Sequence, residues 1–137
     1  MAIVTLPDPI PSPETRAFWE ALRENRFLVR TCCACGSAHW PPRTLCPFCF
    51  SDDTDWRASE GTGSIYSVTI SGSGESRLAI AYVMLDEGVA MLSNLIAADL
   101  EIPKIGTRVR LAPTERGEYI LPLFSPIEEA TAEHQNA

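Results

Sequence analysis

The sequence predicts a mainly β protein with one N-terminal helix, a small cysteine-clasped ribbon and a C-terminal five-stranded barrel of the OB type. Three observations carry this. An apolar period of helical spacing occurs once, around Phe18 and Leu22; two Cys-x-x-Cys pairs follow, at Cys32/Cys35 and Cys46/Cys49; and from Ser64 onward alternating or β-branched runs are separated by turn signals.

Pro11-Ser12-Pro13-Glu14 has the chemistry of a helix start: Ser12 can cap, Pro13 suits the first helical position, and Glu14 meets the positive end of the dipole. The spacing predicts a helix to about Arg26, with Phe18, Leu22, Ala17, Ala21 and Trp19 forming its apolar side. Residues 27–60 read as ribbon, with extended pieces at Phe27–Thr31, around His39-Trp40-Pro41-Pro42, and at Asp55–Ala58. Gly61-Thr62-Gly63 reads as a flexible junction, because it precedes a strand and not a helix. Residues 61–125 then hold five predicted strands: Ser64–Ile70, Leu78–Leu85, Val89–Leu95, Thr107–Ala112 and Glu118–Phe124. Asp86-Glu87-Gly88 is a tight hairpin signal, Ser71–Ser76 a Gly/Ser loop, and residues 126–137 a polar tail expected to fray.

With 137 residues, the chain can bury one modest core or carry a small stapled module beside a compact barrel. No apolar run approaches the roughly 20 residues that span a bilayer. The first residues lack the basic-then-apolar order of a signal peptide, so a cytoplasmic location is expected. A net charge of −7 sets much of the surface against nucleic-acid phosphates.

Five cysteines without an export signal argue against a disulfide framework. In Cys32-Cys33-Ala34-Cys35 and Cys46-Pro47-Phe48-Cys49, each pair lets two thiolates from one tight turn reach the same ion at about 2.3 Å. Gly36 permits the left-handed backbone such a knuckle often needs, and Pro47 stiffens the second turn. Cys32, Cys35, Cys46 and Cys49 are therefore the candidate ligands of one structural Zn2+: four sulfurs leave no coordination position open for water or substrate. Buried, unligated thiols are one rival reading. A redox pair is the other, but redox Cys-x-x-Cys motifs sit singly at a helix start in a βαβ context. Cys33 receives no role, and His39 reads as a ribbon-packing or surface residue beside a complete ligand shell.

No G-x-S-x-G, H-E-x-x-H or Walker loop is present, and His39 and His134 are the only histidines. No catalytic residue is assigned. The helix with Phe18-Trp19, Cys32-x-x-Cys35-Gly36, Trp40-Pro41-Pro42-Arg43, Cys46-Pro47-x-Cys49, Trp56, Gly61-x-Gly63-x-Ile65-Tyr66-Ser67 and Leu85-Asp86-Glu87-Gly88 together resemble zinc-ribbon plus OB-fold proteins of the DUF35 type. The resemblance runs from about Glu14 to Leu123. It implies a rubredoxin-like ribbon, an OB barrel, and a role as the small subunit beside a thiolase-like partner: a thiolase, acyltransferase, hydroxymethylglutaryl-CoA synthase or side-chain aldolase acting on acyl-CoA. It does not imply catalysis by the ribbon protein itself.

The function expected is a non-catalytic subunit or scaffold that docks such an enzyme and helps shape its acyl-CoA path. Arg43, Arg57, Arg77, Arg108 and Arg110 are the cations available to meet CoA phosphates at a shared interface. Among Phe18, Trp19, Phe48 and Phe50, which crowd the helix and ribbon, Phe48 is the preferred partner contact, because it lies between two ligands whose thiolates point inward. An alternative is a single-stranded nucleic-acid module, against which stand the net charge and the tyrosines Tyr66, Tyr82 and Tyr119, read as scattered and as apt to fill the barrel as to face a ligand. A stand-alone enzyme would have to use Cys33 with His39.

Overall fold

The chain turns into its helix by a different route from the one its prolines suggest. The computed structural model describes residues 6–96 and 103–127, apart from the side chain of Glu75, and helix α1 runs over Arg16–Arg23. Pro13 and Glu14 form a preceding turn in which the Ser12 carbonyl accepts the Thr15 and Arg16 N–H groups, while the Ser12 N–H donates to Thr15 Oγ1 at 2.8 Å. Glu14 leaves the helix end for the ribbon: its Oε2 accepts from the Thr44 N–H at 2.8 Å and the Thr44 hydroxyl at 2.9 Å. These two bonds, the backbone one first, hold the Glu14 carboxyl below its usual pKa.

The helix stops three residues short of the expected end because Asn25 takes a left-handed φ of 62°. The Arg26 N–H then donates to the Ala21 carbonyl and the Asn25 N–H to the Leu22 carbonyl, the paired bonds of a Schellman terminus. Asparagine is the usual substitute for glycine in that conformation. Phe18, Ala21 and Leu22 face the interior, Trp19 is half-buried, and Ala17, expected on the apolar side, is exposed.

A three-stranded sheet of order β2-β1-β3 follows, with β1 at Leu28–Cys32, β2 at Ala38–His39 and β3 at Thr54–Ala58. Both partners are antiparallel to β1, which sets Arg30 opposite His39 on one side and Trp56 on the other. The Arg30 guanidinium lies 4.9 Å from the centre of the Trp56 ring and donates to Thr54, so β1 and β3 are also braced through their side chains.

The remaining strands are β4 (Thr62–Ser71), β5 (Leu78–Leu85), β6 (Ala90–Leu95), β7 (Arg108–Arg116) and β8 (Tyr119–Pro126), closed into a barrel of order β4-β5-β6-β8-β7. The connection of β6 to β8 is parallel and all others are antiparallel, which is the OB arrangement. Closure is possible because β4 is long and bulged between Ile65 and Ser67, so its first residues pair with β7 while most of its length pairs with β5. The mainly β class and the OB topology agree with the sequence.

Two local expectations change. Gly61 and Gly63 are buried, and Gly63 lies inside β4: a Cβ there would come 2.3 Å from the Met84 carbonyl oxygen. The stretch read as a flexible junction is thus a close approach of two backbones. Strand β7 also runs past Pro113, where the sequence broke it. Pro113 sits opposite Pro122 on β8 in the part of the β7–β8 hairpin that reaches beyond its other barrel neighbours, where a missing N–H costs no second ladder. The tail beyond residue 127, including His134, lies outside the described residues.

One core runs through both parts. Phe18 and Leu22 of α1 and Val29 of β1 meet Ile65, Val83 and Phe124 of the barrel. Aromatic contacts mark the seam: Phe18 lies 4.7 Å from Trp40 and 5.9 Å from Phe27, and Phe27 lies 6.2 Å from Phe124, measured between ring centres.

The β5–β6 turn supplies a polar clasp at the seam. Arg108 donates two hydrogen bonds to Asp86, at 2.9 and 2.8 Å, and the Thr62 hydroxyl donates a third at 2.7 Å; Glu87 accepts from the Ser59 hydroxyl. The Arg108 contact, then that of Thr62, draws the Asp86 pKa down to about 2. A carboxyl depressed in the folded state stabilises it above the unfolded value of about 3.9, and that contribution disappears as pH falls through about 2. Asp86→Asn is therefore expected to lower the melting temperature at pH 7 by a few degrees and to match the wild type near pH 2. An undiminished gap at pH 2 by calorimetry contradicts this account of the clasp.

Candidate metal centre

The ribbon sheet holds its two connections side by side, and each connection is a knuckle built to the same plan. In the first, the Cys32 N–H donates to the Ser37 carbonyl and the Gly36 N–H to the Cys32 carbonyl. In the second, the Cys46 N–H donates to the Ser51 carbonyl and the Phe50 N–H to the Cys46 carbonyl. Further N–H groups point at sulfur: Cys35 N–H at Cys32 Sγ, 3.4 Å, and Phe48 N–H at Cys46 Sγ, 3.3 Å.

The sulfurs of Cys32, Cys35, Cys46 and Cys49 all lie within 4.8 Å of one another. Cys32 and Cys49 are 3.6 Å apart and Cys35 and Cys46 3.7 Å. A tetrahedral ion with sulfur ligands at about 2.3 Å separates them by about 3.8 Å, so the quartet fits one zinc without rearrangement. The first cysteine of each pair is buried and the second exposed, leaving the site at the ribbon surface with all four positions facing inward to one point.

The second cysteine of each knuckle shows why a cation suits the quartet. Hydrogen bonds from the Ser37 N–H and hydroxyl draw Cys35 down to about 6. At Cys49 a bond from the Ser51 N–H acts in the same sense, but the neighbouring cysteines, Cys32 foremost, together with burial outweigh it and push the thiol up to about 12. Four thiols this close cannot all ionise against one another; a divalent ion supplies the charge that makes four thiolates compatible.

The remaining candidate groups are dispersed. Cys33 is exposed, its thiol raised by desolvation from the surrounding chain and by the carboxylates of Asp53 and Asp55. His39 is buried, which lowers its pKa, and its Nε2 lies 3.3 Å from the Arg43 N–H while Nδ1 has no partner among the described residues. Cys33 and His39 share no hydrogen bond, so the nucleophile and base considered for a stand-alone enzyme do not assemble. The arginines stand on separate elements: Arg43 in the ribbon 3.7 Å from Glu14, Arg57 on β3, Arg77 before β5, and Arg108 and Arg110 two apart on β7. Arg108 is engaged by Asp86.

Apolar surface is where the sequence reading needs most revision. Phe18 is core, but Phe48 and Phe50 are 65 % and 77 % exposed, joined by Leu45 at 54 %. Tyr66, Tyr82 and Leu92 do not fill the barrel; they are exposed on β4, β5 and β6, with Tyr82 directly opposite Leu92. Only the register reveals this stripe, because the three residues are far apart in the chain. Tyr119 instead stacks edge-on against Trp19 at 6.4 Å. A groove of about 350 Å³ lies between the N-terminal segment, α1, β6 and β8, lined by Leu6, Pro9, Trp19, Trp40, Leu92 and Leu123 among others.

Phe50 also carries backbone strain. It occupies φ 65°, the position that Gly36 fills at φ 80° in the first knuckle. A non-glycine residue there costs on the order of 1 kcal/mol.

Comparison with known proteins covers both halves. Residues 19–55 match the ChsH2 rubredoxin-like zinc ribbon domain and residues 56–113 the ChsH2 C-terminal OB-fold domain. The chain is 30% identical to a chain of a solved structure named Ltp2-ChsH2(DUF35) aldolase, with TM-score 0.77, covering 87% of this chain and 98% of that one. It shares 34% identity over 117 residues with a "Probable enoyl-CoA hydratase alpha subunit" of Thermomonospora curvata; the match takes in 80% of this chain but 37% of that relative, so the chain spans little more than a third of its length. A "DUF35 domain-containing scaffold protein" of Pyrococcus furiosus is 27% identical over 74% of this chain and 79% of its own. A DUF35-family structure from Sulfolobus solfataricus, at 16% identity and TM-score 0.64, shares the fold. With the ribbon, the OB barrel and both family domains matched in order, the chain belongs to the ChsH2 family of DUF35 proteins.

Proposed function

We propose that this protein is a non-catalytic, zinc-clasped subunit that docks a thiolase-like acyl-CoA enzyme and helps shape its acyl-CoA path. The observation that carries the reading is the likeness, along 98% of that chain, to the ChsH2 component of an Ltp2–ChsH2 aldolase. The scaffold name of the Pyrococcus relative supports it, as does the chemistry: the one built cluster of reactive side chains among the described residues has the closed geometry of a structural metal site. The ligands in this reading are Cys32, Cys35, Cys46 and Cys49, and the cofactor is structural Zn2+. A cytoplasmic location goes with the five free thiols.

The exposed apolar surface suits docking, and the groove beside Trp19 and Trp40 offers lining of the kind an acyl chain needs. A single-stranded nucleic acid would use the outer face of β5 and β6, as OB folds do. Alternate positions there are Ile80, Tyr82, Met84, Ala90, Leu92 and Asn94. Tyr82 is the one aromatic among them, none of these six residues is cationic, and the net charge is −7. The hydratase-subunit relative favours a second partner class, a hydratase in place of a thiolase-like enzyme.

Two measurements test the reading. Purified protein is expected to hold one zinc per chain, and Cys46→Ser to lose both the metal and the ribbon fold, since structural zinc contributes on the order of 10 kcal/mol in small modules. Less than half an equivalent in carefully prepared wild type would sink the metal assignment. Affinity purification of the tagged chain from its native host is expected to recover a thiolase-like enzyme whose acyl-CoA turnover rises on adding the chain, while the chain alone shows none. Recovery of a hydratase, or robust thioester chemistry by the lone chain abolished by a point mutation in it, overturns the thiolase-subunit reading.

A further inference from the structure

The two knuckles offer an internal control. Their backbones make equivalent hydrogen bonds, Cys32 matching Cys46, Gly36 matching Phe50, and Ser37 matching Ser51. Both central residues are left-handed, at φ 80° and 65°. In the first knuckle the position holds glycine, which adopts this conformation freely; in the second it holds a large aromatic residue, which does not. Burial would explain the exchange, yet Phe50 is the most exposed aromatic of the described chain, and no ring contact to another aromatic side chain holds it in place. No aromatic stacking among the described residues offsets a strain that glycine would not incur. Strain retained without a structural return points to use elsewhere.

The surroundings state what the user must look like. Leu45 and Phe48 stand exposed on the same knuckle, making an apolar tip, and Asp52 and Asp53 follow directly, both exposed. Of the two cations that flank the tip in sequence, Arg43 is set against Glu14, and Arg57 stands on β3 beyond a third exposed carboxylate, Asp55. A zinc with four thiolates beneath the tip adds a net charge of about −2. An aromatic anchor inside an acidic rim calls for an apolar pocket edged by lysine or arginine.

We infer that Phe50, with Phe48 and Leu45 beside it, is the anchor by which the second knuckle inserts into an apolar, basic-rimmed pocket on the thiolase-like partner. The inference rests on the subunit reading above and refines it, moving the principal contact from Phe48 to its strained neighbour. A second copy of this chain is a poorer occupant, because its own tip and its net charge of −7 would repel an acidic rim.

The test uses full-length chain and the thiolase-like protein that co-purifies with it, with affinity read by biolayer interferometry. Phe50→Gly is expected to weaken binding at least tenfold, about 1.4 kcal/mol, and Phe50→Leu to weaken it less. The isolated Phe50→Gly chain is expected to keep one zinc and to melt no lower than wild type, since glycine accepts the φ that phenylalanine resists. Asp52→Asn with Asp53→Asn is expected to slow association and flatten its salt dependence. Unchanged affinity in Phe50→Gly, with wild type binding normally, overturns the anchor and leaves the subunit reading standing. Loss of zinc or of several degrees of melting temperature in that variant returns Phe50 to a structural role. Self-association of the wild type that Phe50→Gly abolishes assigns the tip to a second copy and overturns the inference, and a wild type that does not bind the thiolase-like protein removes the subunit reading and the anchor together.

Discussion

The position of Phe18 is the constraint on which the rest of the molecule depends. Its ring meets Trp40 from the ribbon and Phe27 from the strand entry, and through Phe27 the contact reaches Phe124 in the barrel. Edge-on and tilted aromatic pairs contribute about 0.5–1.5 kcal/mol each beyond the area they bury. Truncating such a residue in a core costs about 3–5 kcal/mol. A ribbon of three short strands has too little apolar surface to make a core of its own, and the barrel would be open where α1 covers β8. The short helix α1 covers both. The length of α1 follows from the same requirement, because the Schellman terminus at Asn25 turns the chain back so that Phe27 lands beside Phe18.

Polar contacts then set the orientation that the aromatic seam leaves free. Glu14 reaches from the helix approach to Thr44 in the ribbon, Arg23 donates to the Glu118 carbonyl at the β7–β8 turn, and Asp86 gathers Thr62 and Arg108 where ribbon passes into barrel. Each of these pairs is exposed, so each contributes little alone. Their value is geometric: they join elements that are distant in the chain, and the Asp86 contacts do so beside the two backbones that approach at Gly63 and Met84.

The protein divides its large apolar side chains between core and surface. Its core takes Phe18, Ile65, Val83 and Phe124, while Leu45, Phe48 and Phe50 at one knuckle and Tyr66, Tyr82 and Leu92 across the barrel stay in solvent. The stripe stands on paired strands, and the knuckle is closed by its own backbone hydrogen bonds. Surfaces that need no ordering bind at lower entropic cost than mobile ones. In the subunit reading proposed above, the thiol quartet contributes by keeping the knuckle in shape and not by chemistry at a substrate.

The cysteine quartet, the OB class, the approximate strands and the Asp86-Glu87-Gly88 turn were legible in the sequence, because each rests on local chemistry: a two-residue spacing that lets thiols converge, an alternation of period two, a glycine that accepts a positive φ. Strand β5 was read with its observed bounds for that reason. What local chemistry could not decide was anything set by partners far along the chain. Pro113 looks like a strand end until Pro122 is found opposite it on an open edge, Gly61-Thr62-Gly63 looks flexible until Met84 is found against Gly63, and Glu14 looks like a helix-dipole residue until Thr44 is within reach. The exposure of Tyr66, Tyr82 and Leu92 is a property of register, since a one-residue slip would have turned Tyr82 inward. The strain at Phe50 likewise appears only when the two knuckles can be laid side by side: sequence placed a phenylalanine after Cys49 and a glycine after Cys35, and the fold alone showed that both must adopt the same left-handed backbone to bring four sulfurs to one point.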